Sequence, residues 1–455
     1  MNSTNFAHAS CAALREFKEQ SHLCTCIIRR ILRDDVGPPA HCAKFAVAAL
    51  GAVIVSFSLS AATMAQPGTN SSPPTTTPQQ DRFAPINKRM EEFAASGRIA
   101  GSVTLVAQKG EIVHLAAVGL ANFEDKKPMT DDAIFRIMSM TKPMTATAVM
   151  MLVEEGKLSL DDPVEKYIPS FANSMLRNGT KVSGLTIRRL LTHTSGLGGD
   201  QNCPFSLEAT AEMLAQRSFD FQPGQRWQYG PSLNVCARII EIVSGQKYQD
   251  FMAERIFKPL EMNDTTFFPK PEQISRLAVV YKPGPEGGPA MVPPWRLRAA
   301  NLDEKVPNPS GGLFSTARDV MRFYQTILDG GEWKSPSTGS GGPRRIVSDA
   351  AVKEMTTAQT GELPTNWGAS NSWGLGWCLI NQPRGASGGL NPGSFGHGGL
   401  YGTQVWIDPS KQAVFVLMIQ SIDFEDSDSS AVRREFQRLA AEALAGTVIG
   451  TGGTP

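Results

Sequence analysis

Histidine is scarce in this 455-residue sequence: six are scattered along the chain, and none forms an H-E-x-x-H pair. That absence excludes the helical zinc site which such a pair builds. Cys24 and Cys26 lack zinc-ligand spacing, so we predict no metal site. The main domain has only Cys203, Cys236 and Cys378, which are too few for a disulfide framework and are predicted to be isolated thiols.

Neither positive nor negative charge predominates in the sequence. The chain carries 44 Lys and Arg residues against 43 Asp and Glu residues, a formal net charge of +1. We therefore expect no nucleic-acid partner, and the net charge gives no reason to expect binding to an anionic membrane. No internal repeat is evident, and nothing indicates an oligomeric state. The hydrophobic share of 41% predicts a globular protein with a large core.

Residues 1–65 are predicted to form an N-terminal extension. Residues 45–62 are mostly apolar or small, and Thr63-Met64-Ala65 resembles a signal-peptide cleavage site. The basic stretch before them is long for a signal peptide, so either the true start lies further along or residues 45–62 stay as a membrane anchor. We expect an exported protein, periplasmic or secreted, with membrane association through this segment as the alternative.

A linker and one main domain follow. Residues 66–82 are rich in Pro, Ser and Thr, which predicts a flexible linker. The main domain is predicted over residues 83–450. It begins with a helix whose apolar positions recur at helical spacing, at Ile86, Met90 and Phe93.

Strand patterns lie near both ends of this domain. Residues 102–108 and 111–118 predict a hairpin, and residues 403–408 and 413–420 predict a second pair of strands. A helix follows with one apolar face, made of Val432, Phe436, Leu439 and Ala443. The middle is mainly helical. We predict an α/β (α+β) fold in which one antiparallel sheet, built from both termini, is flanked by helices beside a mainly helical lobe.

Three Gly/Pro-rich stretches in the middle of the domain are predicted to be loops. They are residues 282–294, 332–343 and 384–393, and we expect them to line or cover a pocket. For residues 335–342, a tolerated surface insertion is an equal alternative.

Ser139 and Lys142 stand three residues apart at the start of a long apolar helix. If the chain is helical from Met140 onward, the two side chains lie one turn apart on the same face. This is how Ser-x-x-Lys enzymes hold a nucleophile beside an amine that takes its proton. Free N–H groups at the start of the helix favour negative charge that develops nearby.

Two later stretches supply the other parts of such a site. Tyr229 lies in a turn before a helical pattern, where a phenol beside an ammonium can share a proton with it. Residues 395–403 contain His397-Gly398-Gly399 and run into a strand. Consecutive glycines let a substrate approach the backbone, so the Leu400 N–H is a candidate oxyanion donor with the Ser139 N–H. His397 is predicted to line the site.

In this combination the chain resembles the serine beta-lactamase-related superfamily, and within it the class C beta-lactamase-like esterases, also called family VIII carboxylesterases. The resemblance covers roughly residues 83–445. It rests on motifs in the expected order, which are residues 139–143, 190–197, 229 with 238–241, 311–317 and 397–399.

The resemblance implies a beta-lactamase/transpeptidase-like fold and a role for each matching residue. Ser139 is the expected acyl-enzyme nucleophile, and Lys142 and Tyr229 are the expected proton-transfer pair; which of them is the formal base stays open. Leu400 is the expected second oxyanion donor. His193 falls in a stretch that the family uses as a structural turn.

Two departures point to the esterase branch. The lysine of the beta-lactamase Lys-Thr-Gly motif is replaced by His397, and the Asn expected two residues after the tyrosine is replaced by Pro231. Both changes remove groups suited to a carboxylated lactam. We predict a serine hydrolase of small carboxylic esters that needs no cofactor. The alternatives are a beta-lactamase or D-Ala-D-Ala-type peptidase, a transacylase, and a non-catalytic penicillin-binding-like protein.

Two further motifs are predicted not to act. Ser387 satisfies G-x-S-x-G, but loops on both sides exclude the strand and helix of a nucleophile elbow. Ser232 and Asn234 imitate a Ser-x-Asn motif, and the proximity of Tyr229 makes the tyrosine the simpler candidate.

Overall fold

The computed structural model describes residues 82–199, 201–203, 206–283, 289–291, 305–334, 342–365, 371–422 and 429–446. The predicted N-terminal extension lies outside these residues, and so does the predicted linker except for Arg82. In the described part of the chain, no helix is both long and apolar enough to cross a membrane.

The strands of the described residues are numbered in chain order. They are β1 Gly101–Gln108, β2 Glu111–Asn122, β3 Lys127–Pro128, β4 Phe135–Arg136, β5 Tyr281–Pro283, β6 Pro289–Met291, β7 Phe314–Ser315, β8 Glu332–Trp333, β9 Arg344–Arg345, β10 Asn371–Trp373, β11 Cys378–Ile380, β12 Ser394–Gly398, β13 Gln404–Asp408 and β14 Ala413–Met418.

The helices are numbered in the same way. They are α1 Ala84–Ala95, α2 Thr141–Glu154, α3 Ile187–Leu191, α4 Leu207–Gln216, α5 Ser232–Ser244, α6 Tyr248–Met252, α7 Pro271–Ile274, α8 Ala317–Leu328, α9 Asp349–Met355 and α10 Ala431–Ala445.

The main sheet joins the two ends of the domain. Its order is β10-β11-β12-β13-β14-β1-β2-β3, and its pairs are antiparallel. β1 pairs with β14 from Val103 opposite Met418 to Gln108 opposite Ala413. The β1–β2 turn has positive φ at Lys109 and Gly110, as a tight hairpin turn requires. The predicted sheet from both termini is confirmed.

Both faces of this sheet are covered. Along β14, alternate side chains such as Val414 and Val416 pack towards the helical lobe, while Phe415 and Leu417 pack on the other face. There α1 and α10 lie side by side, and Phe436 of α10 is fully buried. A strand buried on both faces must be apolar at every position, which accounts for the unbroken run of residues 413–418.

α2 is the central helix of the lobe, and it begins at Thr141. It is buried on every side from Thr141 to Leu152 and packs against α5 and α9. Its sequence is apolar nearly all round from Met144 to Val153, which is typical of a helix buried in a sizeable domain.

The predicted loops hold more structure than expected. Residues 281–291 contain the short β5–β6 pair, and β8 pairs with β9 across residues 335–341, which lie outside the described residues. Residues 384–393 contain a 3-10 turn that packs against α10. Cys203, Cys236 and Cys378 are buried and form no disulfide with one another, which agrees with the prediction of no disulfide framework.

Candidate active site

Ser139 lies in a single 3-10 turn, Met138–Met140, between β4 and α2. The Ile137 N–H donates to Leu313 O over 2.9 Å, and the Thr141 hydroxyl donates to Met138 O over 2.7 Å. Met138 has a φ of +49°, in the left-handed region that costs a residue with a side chain some free energy. This fixed, strained turn leaves Ser139 partly exposed at the mouth of the buried helix.

Lys142, in the first turn of α2, is fully buried. Its Nζ lies 3.2 Å from Ser139 Oγ, 2.7 Å from Gln201 Oε1 and 2.7 Å from Ser310 O. Burial lowers the pKa of Lys142 well below its ordinary value, because water no longer stabilises the ammonium. A neutral amine is thereby favoured within hydrogen-bond reach of the serine.

Tyr229 completes a group of three side chains. Its hydroxyl oxygen is buried, and Lys142 Nζ lies 4.5 Å from the centre of its ring. Burial raises the pKa of Tyr229 above its ordinary value, and a hydrogen bond with the Ser139 side chain acts in the opposite direction. The structure therefore brings together the three predicted side chains, with the lysine favoured as an amine and the tyrosine as a phenol.

A closed chain of hydrogen bonds surrounds the lysine. Lys142 donates to Gln201 Oε1, and the Asn234 side-chain amide donates to Gln201 O over 2.9 Å. The Ser310 hydroxyl donates to Asn234 Oδ1 over 2.6 Å, and Lys142 donates to Ser310 O. The segments that carry Gln201 and Ser310 therefore meet at the Lys142 amine, and Asn234 links the two segments to each other.

Sequence reasoning missed these partners. The sequence analysis set Asn234 aside as an imitation of a known motif. In the structure Asn234 is fully buried within this closed chain of hydrogen bonds. A polar Asn between the apolar Leu233 and Val235 was the available signal. Ser310 acts through its backbone oxygen, which no sequence pattern reveals.

Gly399 brings the strand backbone against the nucleophile turn. A Cβ on Gly399 would lie 2.6 Å from Ile137 O and would also collide with the Thr403 hydroxyl. The Gly399 N–H donates to Thr403 O over 2.7 Å, and the Thr403 hydroxyl donates to Ile137 O over 3.3 Å. Only glycine permits this close approach to Ile137, which lies two residues before Ser139.

Buried Arg433 of α10 sets the orientation of the next peptide. Its Nη2 donates to Gly399 O over 2.9 Å, and the Gly402 N–H donates to the same oxygen over 3.0 Å. In a trans peptide the C=O and the following N–H point in opposite directions. The Leu400 N–H therefore points away from the guanidinium, while the Leu400 side chain is 68% exposed.

His397 is fully buried in β12, and its Nδ1 donates to Gly398 O over 2.7 Å. Burial lowers the pKa of His397 to about 3, and the nearby charge of Arg433 acts in the same direction. Its ring centre lies 6.1 Å from that of Tyr229. The third motif therefore places a neutral ring beside the tyrosine.

His193 lies in a turn after α3, as the family resemblance implies, with a φ of +57°. Its ring is fully buried, and the ring centre lies 4.5 Å from that of Tyr229. Neither ring nitrogen has a hydrogen-bond partner among the described residues. Burial lowers its pKa well below the ordinary value. The ring is a neutral packing partner of Tyr229.

The G-x-S-x-G motif lies in a short 3-10 turn and not between a strand and a helix, the context that a nucleophile elbow requires. Ser387 ends a short 3-10 turn and donates its hydroxyl proton to Arg384 O over 2.8 Å. The preceding strand, β11, ends at Ile380, well before the turn.

The family model "Beta-lactamase" matches residues 86–440. The chain is 30% identical over 361 residues to "Esterase EstB" of Burkholderia gladioli, which covers 72% of this chain and 87% of that protein. It is 28% identical to "Penicillin-binding protein 4" of Amycolatopsis lactamdurans, covering 70% of this chain and 79% of that one. The solved structure of "EstCE1, a hydrolase with promiscuous acyltransferase activity" matches with a TM-score of 0.66 and 24% identity, over 80% of this chain and 99% of that one.

Proposed function

The chain belongs to the beta-lactamase family of serine hydrolases, and within that family we propose that it is a carboxylesterase acting on small esters through an acyl-enzyme on Ser139. The observation that carries the proposal is the combination of a complete Ser139, Lys142 and Tyr229 group with an uncharged third motif at His397. The similarity to an esterase supports it.

Acylation begins at Ser139. Its Oγ attacks the ester carbonyl carbon while its proton passes to the neutral Nζ of Lys142, 3.2 Å away. The carbonyl oxygen gains negative charge, which the N–H groups of Ser139 and Leu400 stabilise. The orientation that Arg433 imposes on the Gly399–Leu400 peptide supports this role for Leu400.

The opposite pKa shifts of Lys142 and Tyr229 suggest how the pair divides its work. Lys142 is the acceptor, since burial favours its neutral form. Tyr229 remains protonated and donates its proton to the leaving alkoxide, then regains one from the lysine ammonium close to its ring. Water then attacks the acyl-enzyme and releases the acid, and the serine is regenerated.

The third motif favours esters over carboxylated lactams. A substrate carboxylate needs a cation, whereas His397 has a pKa of about 3 and is neutral at physiological pH. Arg433 directs its charge to the carbonyl oxygens of Gly399, Gly402 and Thr403.

A beta-lactamase or D-Ala-D-Ala-type peptidase is the second candidate, favoured by the similarity to a penicillin-binding protein. A transacylase would use the same acyl-enzyme and pass the acyl group to an alcohol. The intact set of Ser139, Lys142 and Tyr229, with Lys142 Nζ 3.2 Å from Ser139 Oγ, argues against a non-catalytic role.

The experiment measures turnover of p-nitrophenyl butyrate and of nitrocefin side by side on the purified protein. We expect a higher kcat/KM for the ester. Faster nitrocefin turnover would reverse the order of the two candidates. Product analysis with an added alcohol detects transacylation.

Export through residues 45–62 is part of the proposal, on the sequence pattern alone. Fractionation of cells that express the full chain tests it: the protein is expected outside the cytoplasm, in soluble form or with the membrane.

A further inference from the structure

The hydrogen bonds of Lys142 decide where its lone pair points. Its Nζ has three oxygen neighbours, Ser139 Oγ, Gln201 Oε1 and Ser310 O. An ammonium has three N–H bonds and can donate to all of them, whereas a neutral amine has two N–H bonds and one lone pair. Two of the three neighbours are amide oxygens, which only accept; the serine hydroxyl can also donate.

This inventory leaves one arrangement for the neutral amine. Both N–H bonds must go to Gln201 and Ser310, because these oxygens cannot donate a proton to the lone pair. The lone pair then faces the Ser139 hydroxyl, which donates its proton along the contact of 3.2 Å. The arrangement is the one that a base needs at the moment of attack.

We propose that Gln201 is a positioning residue: with the Ser310 carbonyl, its side-chain oxygen takes both N–H bonds of neutral Lys142 and so aims the lone pair at Ser139. The inference rests on the proposed acylation at Ser139.

Gln201 is itself fixed, although it is only partly buried. Its backbone oxygen accepts the Asn234 amide, and Asn234 is fully buried at the start of α5. The Ser310 hydroxyl holds the other end of that amide. The two acceptors of the lysine are therefore tied together through Asn234, which sets their spacing independently of substrate.

The test compares Gln201→Leu and Gln201→Glu with wild type. A fluorophosphonate probe measures the base-assisted reactivity of Ser139: Oγ bonds to phosphorus, fluoride leaves, and the proton goes to Lys142. We expect Gln201→Leu to slow labelling and kcat at least about ten-fold with little change in KM, since the lone pair is no longer directed. Gln201→Glu places an anion beside the amine, so the acidic limb of the labelling rate should move about one to three pH units upward.

The matched control is Gln222→Leu, because among the described residues its side-chain amide bonds to the loop at Lys181 and Ser183, away from Lys142. It should leave the labelling rate and pH profile unchanged. If both Gln201 variants melt as wild type does and keep its labelling rate and pH limb, the proposal is wrong. If Gln201→Leu fails to fold, the acidic limb of the labelling rate of Gln201→Glu tests the proposal alone: an upward shift supports it, and an unchanged limb contradicts it. A wild type that is labelled but does not turn over p-nitrophenyl butyrate contradicts the proposed substrate, and the labelling rates still test Gln201.

Discussion

Lys142 Nζ lies 3.2 Å from Ser139 Oγ, at the end of a fully buried side chain. No carboxylate is among the hydrogen-bond acceptors of this amine in the described residues, which are a hydroxyl, an amide and a backbone carbonyl. Burial therefore acts on its pKa without a compensating anion, and the amine beside the nucleophile is kept neutral at a lower pH than a solvent-exposed lysine.

The first prediction concerns pH. A base works only when unprotonated, so kcat/KM should fall as the pH drops through the lowered pKa of Lys142 and should be high well below pH 10. Lys142→Arg replaces the amine with a permanent cation and should reduce kcat about 10²-fold or more. The measurement is a pH–rate profile with p-nitrophenyl butyrate. An acidic limb near the pKa of an exposed lysine would contradict the burial argument.

The second prediction separates the leaving group from the nucleophile. Tyr229→Phe removes the proton donor, and p-nitrophenolate leaves without a proton whereas an alkoxide does not. We expect a much larger loss of kcat for ethyl butyrate, about 10²-fold or more, than for p-nitrophenyl butyrate. Equal losses for the two esters would mean that the phenol does not act on the leaving group.

The third prediction uses two neighbouring glycines as a matched pair. A Cβ on Gly399 meets Ile137 O at 2.6 Å, while a Cβ on Gly398 has its nearest neighbour at 3.6 Å. Gly399→Ala should push the strand away from the nucleophile turn and lower kcat, whereas Gly398→Ala should retain most activity. Kinetics and melting temperature of both variants check this; an active Gly399→Ala would show that the close approach is dispensable.

The fourth prediction concerns the peptide that Arg433 orients. Arg433→Met keeps an apolar stem but loses the donors to Gly399 O and Thr403 O. We expect kcat to fall about 10²-fold, as for loss of an oxyanion donor, with a small change in KM. Arg434→Met is the control, because that side chain is exposed on the same helix. Equal kinetics in the two variants would show that Arg433 does not orient an oxyanion donor.

The sequence predicted the parts of this fold that depend on local periodicity. The strands and helices near both ends of the domain are where the patterns place them, to within a few residues. The run of strand-forming residues at Val103, Leu105 and Val106 and the helical spacing of Ile86 and Met90 are local properties. Short strands such as β10 and β11 escaped prediction, since three residues give no period to detect.

The residues of the candidate site also fall into those that the sequence predicted and those that it did not. Ser139, Lys142, Tyr229 and His397 belong to motifs whose order is visible in the chain. Contacts that join distant segments were not predictable: Gln201 reaches the lysine from a loop after a glycine-rich turn, and Arg433 reaches Gly399 from the last described helix. Such contacts depend on tertiary packing, which local sequence does not encode.

The central claim is that Ser139 is the nucleophile, and the most direct test is the rate of p-nitrophenyl butyrate hydrolysis by purified wild type and Ser139→Ala. We expect the variant to fold with an unchanged melting temperature, to lose at least about 10³-fold in kcat and to escape labelling by a fluorophosphonate probe. A folded Ser139→Ala protein that hydrolyses the ester at the wild-type rate would contradict it.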